Sequence, residues 1–452
     1  MNALNRLEDI MNRGRSHIGF IQVEGVVSDV AMSTYGVGGL SRFLRLGDCV
    51  QIDVGGDSQI AEVIRIGPRF TTVKPFDSRS DAALGMRVRK AERLSIAPDA
   101  GWRGRSIDAL CRPVDGGPPL SRGEIEMSID AEPPAALRRG RVNRPLKTGV
   151  RIVDLFTPLC EGQRIGVFAG SGVGKSSLLA MLANADGFDT VVVALVGERG
   201  REVREFIDET LAASRHKAVT VVSTGDESPM MRRLCPKTAM AIAEYFRDRG
   251  ESVLLIVDSI TRFAHASREV YLSAGEAPVA RGYSPSVFSD LPRLLERAGP
   301  GLEGSGAITA IFAVLVDGDD HNEPVADAIR GSLDGHIVLD RAIADQGRFP
   351  AVNIGASLSR LASIVWTPEQ GRLVAKLRSL IARYEETRDL RLIGGYTPGS
   401  DAYLDQAVKI VPKIHEAMQQ SARAGSRADV FQELAEALRR EPEPALPGDS
   451  EP

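Results

Sequence analysis

The chain has 452 residues, 43% of them apolar and 26% charged, an ordinary balance for a folded globular protein. At roughly 150 residues per domain, that length suggests about three domains. The formal net charge of −4 argues against a broad nucleic-acid footprint, which needs Lys and Arg in excess.

Residues 1–17 place Leu4, Leu7, Ile10 and Met11 at helical spacing between charges. That predicts a short amphipathic helix, which either folds back on its own domain or docks on a partner. The stretch has neither a long apolar run nor a small-residue cleavage site, so it does not read as a secretory signal. Residues 18–95 change character. IQVEGVV, QIAEVIRI and FTTVKPF are rich in β-branched residues and are punctuated by GVGG and GGD, which predicts a small β-barrel.

From 96 to 375, apolar runs such as QRIGVFAG, TVVVALVG, AVTVVST, SVLLIVDS and GAITAIFAVLV alternate with helical stretches. The rhythm predicts an α/β domain with a mostly parallel sheet. Residues 376–440 read as helical, and the acidic, Pro-rich EPEPALPGDSEP at 441–452 reads as disordered. VVVALV at 191–196 is of strand length, far short of the roughly 20 residues that span a bilayer, so a cytoplasmic placement is expected. Cys49, Cys111, Cys160 and Cys235 form no CxxC pair, and the histidines form no HExxH pair. Reduced, buried thiols are expected, and no zinc site built by the protein.

Four motifs carry chemistry. AGSGVGKSSLL at 169–179 follows an apolar strand and opens a helix. Gly170, Gly172 and Gly174 allow a tight turn, and the amides of Ser171, Val173 and the following residues can face phosphate oxygens. The helix N-terminus adds its positive dipole end. Lys175 suits the β- and γ-phosphates, the Ser176 hydroxyl suits Mg²⁺, and Ser177 completes the motif. The usual pattern begins with Gly, where this chain has Ala169. The acid ending SVLLIVD, Asp258, suits holding Mg²⁺ through water. The acid in GERGREVREF, Glu198, suits orienting and deprotonating water, or merely complementing a helix N-terminus. Arg360, in NIGASLSR, is either a surface arginine or a group that neutralises charge in phosphoryl transfer. Together these describe an α/β P-loop NTPase core with an N-terminal β-barrel and a C-terminal helical domain.

The motifs resemble the catalytic subunits of rotary F- and V-type ATPases, and more specifically the ATPases of type III protein export. The resemblance runs through GWRGRSIDALCRPVDG (101–116), FAGSGVGKSSLL (168–179), GERGREVREF (197–206), LLIVDSITRFA (254–264), GYSPSVFSDLPRLLERAG (282–299) and the long run from 317 to 352. The wording DGDD…NEPVADA…DGHIVLDR is similar to the flagellar branch more than to the virulence injectisome. The resemblance implies ATP with Mg²⁺, Glu198 as the residue that activates water, and Arg199 as an aid in placing phosphate. It implies Arg360 as a finger acting on a neighbour's nucleotide, and Phe349 and Tyr396 as aromatic covers for adenine. For those two, ordinary core packing is the competing reading.

The same resemblance implies a six-membered ring at the membrane export apparatus. Its expected partners are the export gate membrane proteins, chaperones and export substrates, and a stator-like regulator on the N-terminal helix through Leu4, Leu7 and Ile10. Four competing readings follow: an injectisome ATPase, a rotary catalytic subunit, a ring translocase on RNA, and a non-catalytic nucleotide-binding scaffold. The tail lacks the acidic helix–turn cluster of the rotary subunit, residues 18–95 hold few aromatics for RNA, and Glu198 weighs against a scaffold. GDESPMMRRL departs from the commoner family wording at Glu227 and Ser228, and no function attaches to that change.

Overall fold

A computed structural model describes residues 23–78, 81–316, 323–421 and 429–439. The expected helix at 1–17 and the expected tail at 441–452 lie outside these residues, as does the DGDDHN portion of the long family run. The chain divides into two compact units. One runs to Ser95 and also takes in 227–231 and 266–284; the other holds the remainder.

In the first unit six antiparallel strands close a barrel: β1 (Glu24–Val30), β2 (Tyr35–Gly38), β3 (Cys49–Val54), β4 (Asp57–Ile66), β5 (Thr71–Pro75) and β6 (Arg87–Ala91), in the order β1-β2-β5-β4-β3-β6. Period-two alternation selects the interior. Gln59, Ala61 and Val63 of β4 point inward, as do Val50 and Ile52 of β3. Each fully buried aliphatic side chain contributes about 1.5–3 kcal/mol, so Val50, Ile52, Val63, Val73 and Val88 supply much of this small core. Lys74 is buried and donates to the Ser33 carbonyl and to Ser273 Oγ. Burial holds its ammonium below the usual lysine range, against the opposing pull of Glu269.

The second unit is built on a nine-stranded sheet. Its main path uses β7 (Ser106–Asp108), β8 (Arg164–Ala169), β9 (Thr190–Glu198), β10 (Ala218–Thr224), β11 (Ser252–Asp258), β12 (Ala307–Leu315), β13 (Gly335–Val338) and β14 (Leu358–Ser359), ordered β14-β13-β8-β12-β11-β9-β10-β7. From β13 to β7 all neighbours are parallel, and β14 pairs antiparallel at one edge. β9 and β12 are buried on both faces, which is why TVVVALV and AITAIFAV read as unbroken apolar runs without alternation.

Helix α1 (Lys175–Ala183) follows β8. Helices α2 (Pro368–Glu386), α3 (Ala402–Met418) and α4 (Val430–Arg439) make up the C-terminal part. α2 starts on a reciprocal cap between Thr367 and Gln370 and buries Val374, Leu377, Leu380 and Ile381 along one stripe. α3 starts on Asp401, whose carboxylate accepts from Tyr403 and Leu404 amides, and buries Leu404, Ala407, Val411, Ile414 and Met418. Among the described residues no helix is long and apolar enough to cross a membrane.

Candidate nucleotide site

The loop between β8 and α1 sits at the carboxyl ends of the strands. Gly172 and Gly174 adopt φ of 78° and 91°, a region that disfavours any residue with a Cβ. Gly174 caps α1 with no side-chain acceptor, and the first turn of α1 carries no acid. The first amides of the helix are therefore left for an anion.

Three charged side chains converge above the loop. The Lys175 ammonium donates to Asp258 Oδ1 and lies 4.0 Å from Glu198 Oε1. Asp258 ends β11 and is 5% exposed, whereas Glu198 ends the neighbouring β9. Glu198 Oε1 is buried and accepts no hydrogen bond. Burial pushes the Glu198 carboxyl up to about 7; Lys175 pulls the other way and Asp258 reinforces the rise. A carboxylate with that affinity can take a proton from water near neutral pH.

Phe349 also reaches the loop: a Cβ built on Gly174 would lie 3.4 Å from its ring. The Tyr396 hydroxyl donates to Asp405 Oδ1 of α3 at 2.6 Å. Arg199 is largely exposed and pairs with Glu202 at 3.6 Å, one helical turn along. Ser176 and Ser177 are exposed on the first turn of α1, and Val173 is buried beneath the loop.

Arg360 is exposed and lies far from this cluster. It follows edge strand β14, and its amide donates to the Asp334 carbonyl beside the start of β8. That is the amino end of the sheet, whereas Lys175 and Glu198 stand at the carboxyl end. β14 and β9 are also five strand positions apart, about 24 Å across the sheet. Arg360 cannot serve the site of its own chain.

The structure adds residues that linear reading missed. Arg262 packs along Gly197, next to Glu198; its Nε is buried without a partner, and its charge favours the ionised Glu198. Its position four residues past Asp258 is the sequence signal that could have marked it. Arg341 donates from Nη2 to the Ser171 carbonyl at 3.0 Å and so braces the loop from a segment 170 residues away. Glu202, one turn beyond Glu198, adds to the rise of the Glu198 carboxyl. Among the described residues no three His, Cys, Asp or Glu side chains gather as a metal cage.

Residues 149–359 match the ATP synthase alpha/beta family, nucleotide-binding domain, and residues 366–437 match the T3SS EscN ATPase C-terminal domain. The chain is 54% identical over 415 residues to a flagellum-specific ATP synthase of Agrobacterium fabrum, covering 92% of this chain and 88% of that one. It is similar in structure to the assembled ATPase EscN of the enteropathogenic E. coli type III secretion system, at a TM-score of 0.85 and 40% identity over 92% of this chain and 100% of that one. The same ATPase in complex with its central stalk EscO gives a TM-score of 0.82 at 39% identity, again over 92% and 100%.

Proposed function

Because this chain belongs to the ATP synthase alpha/beta family, in its branch of flagellar and type III secretion ATPases, we propose that its hydrolytic step is carried by Glu198 in a site completed by the neighbouring subunit. The protein is an ATP hydrolase of the flagellar type III export apparatus. The observation that carries the Glu198 assignment is its buried oxygen, left without a partner 4.0 Å from Lys175 at the mouth of the phosphate loop.

The amides after Gly172 bind the phosphates, and Lys175 leaves Asp258 to pair with them. Glu198 Oε1 accepts the proton of the attacking water, and Arg262 beside it favours the ionised base beforehand. Mg²⁺ supplies neutralisation of phosphate charge. The Ser176 hydroxyl and the Asp258 carboxylate would hold it, with the remaining ligands coming from phosphate and water, as this ion prefers. The donor set fits, since Asp258 already takes a cation in the form of the Lys175 ammonium. Arg360, exposed at the opposite end of the sheet, reaches the nucleotide of an adjacent protomer in a ring, where Arg199 on the exposed start of the next helix helps place phosphate. Phe349 covers the base.

The assembled relative supports an oligomer, and its stalk complex supports a regulatory partner. We extend this to a hexamer acting peripherally at the membrane gate of the exporter. Its turnover releases chaperones and feeds export substrates. Identity of 54% to a flagellar relative against 45% to the SPI-2 type 3 secretion system ATPase of Salmonella typhimurium favours the flagellar system over the injectisome. The test is Glu198→Gln in the chromosomal copy. Extracellular flagellin should fall sharply while intracellular flagellin persists; undiminished secretion would overturn the assignment.

A further inference from the structure

Phe349 lies on the returning limb of the loop spanning 340–353, beyond the turn at 344–347. The residue is 43% exposed, and a cavity of about 300 Å³ lies beside it, lined in part by Ile152, Ile354, Ile381 and Met418. The base of the loop is well tied: the Asp340 amide donates to the Ala351 carbonyl, and Asn353 donates to the Val338 carbonyl and to Asp340 Oδ2. On that limb, the Phe349 carbonyl accepts from the amide of Gln420 at 2.9 Å.

Gln420 lies just past the end of α3 and is 6% exposed. Its side chain is used at both ends. Oε1 accepts from the Arg151 amide at 3.0 Å, and Nε2 donates to the Gly149 carbonyl at 2.8 Å. That anchor is rigid, because Asp154 accepts from the Thr148 amide and hydroxyl and from the Gly149 amide. The preceding residue is held too, as Arg151 Nη2 donates to the Gln419 carbonyl at 2.6 Å. A chain of bonds thus runs from the turn at Gly149, through Gln420, to the aromatic that lies on Gly174.

We propose that Gln420 is a positioning residue for the ATPase reaction: its amide grips Gly149 and Arg151, and its own N–H thereby holds Phe349 against the phosphate loop. The C-terminal helices reach the nucleotide through this contact, so a shift of α3 changes nucleotide affinity before it changes the chemical step. The proposal rests on the reading of Phe349 as a nucleotide contact.

The test is a double-mutant cycle on the assembled full-length enzyme, with KM for ATP and kcat measured in the presence of magnesium. Gln420→Ala should raise KM roughly three- to tenfold, as expected for losing two buried hydrogen bonds, with kcat falling no more than about twofold. Phe349→Ala should raise KM comparably, and the double variant should be no worse than Phe349→Ala alone. A merely structural role would lower kcat through a smaller active fraction and leave KM alone. If Gln420→Ala does not fold, Gln420→Glu serves in the same cycle, keeping the size and the acceptor for Arg151 but losing the donor to Gly149.

An unchanged KM for the Gln420 variant, or effects that multiply in the double variant, overturn the proposal while the Phe349 reading stands. An unchanged KM for Phe349→Ala removes that reading, and this proposal with it, whatever Gln420 does.

Discussion

Two sets of buried charge lie towards opposite ends of the same sheet, and they are finished differently. Near the starts of β11 and β12, Arg297 and Glu244 are each 3% exposed. Arg297 gives Nε and Nη2 to the two carboxylate oxygens at 3.0 and 2.7 Å, and Nη1 to the Ile129 carbonyl at 2.6 Å. At the carboxyl ends, Lys175 lies between two acids, Glu198 keeps an oxygen without a partner, and Arg262 keeps an unpartnered Nε. Burying unsatisfied charge costs free energy, so such a cluster persists because something else uses it. The number of charges does not separate a strut from a site. Between these two clusters, the hydrogen-bonding capacity left over does.

Disabling the open end should have the largest effect. Arg360→Ala should lower turnover in the assembled ring by roughly 10³-fold or more while nucleotide still binds, read by steady-state hydrolysis and by titration with labelled ATP. In the unaltered protein, activity per protomer should climb with concentration as rings form. Activity that stays flat on dilution to monomers would remove the role in trans.

Glu198→Gln should lower turnover about 10²- to 10⁴-fold without loss of ATP binding. In the native enzyme kcat/KM should rise with pH through about 7, the value to which burial lifts Glu198, and this step should vanish in the variant. The stability sign is opposite. A carboxyl whose folded pKa is raised contributes stability at low pH and loses it as pH climbs through about 7. At pH 8 the Gln variant should therefore melt no lower than the native protein, by calorimetry. A clear drop in Tm would make Glu198 a strut like Glu244.

The satisfied end should show the reverse pattern. Glu244→Ala strands a buried guanidinium and should cost about 3–5 kcal/mol in denaturant unfolding, with kcat per folded ring unchanged. The smallest effect is expected at the start of α2. Thr367→Ala removes one half of the reciprocal cap and should cost about 1 kcal/mol, with no change in KM.

Much of this was legible in the residues. Strands buried on both faces announced themselves as apolar runs, and the glycines, Lys175, Asp258 and Glu198 are local signals at strand ends. What escaped was pairing at a distance. Arg341 meets Ser171, and Gln420 meets Phe349 and Gly149, across separations that no periodicity encodes. The barrel unit recruits 266–284 for the same reason: Lys74 finds Ser273 only in three dimensions. Arg360 was visible as a residue, but its place at the amino end of the sheet depends on the antiparallel turn of β14, which two residues of strand do not signal.

The most direct measurement mixes two inactive proteins. Arg360→Ala subunits keep Glu198 and lack the finger, whereas Glu198→Gln subunits keep the finger and lack the base. In rings assembled from both, an Arg360→Ala site beside a Glu198→Gln neighbour regains every part. Turnover well above the sum of the two separate preparations is the predicted result. A mixture no more active than that sum, with mixed rings shown by mass, would contradict a site shared between subunits.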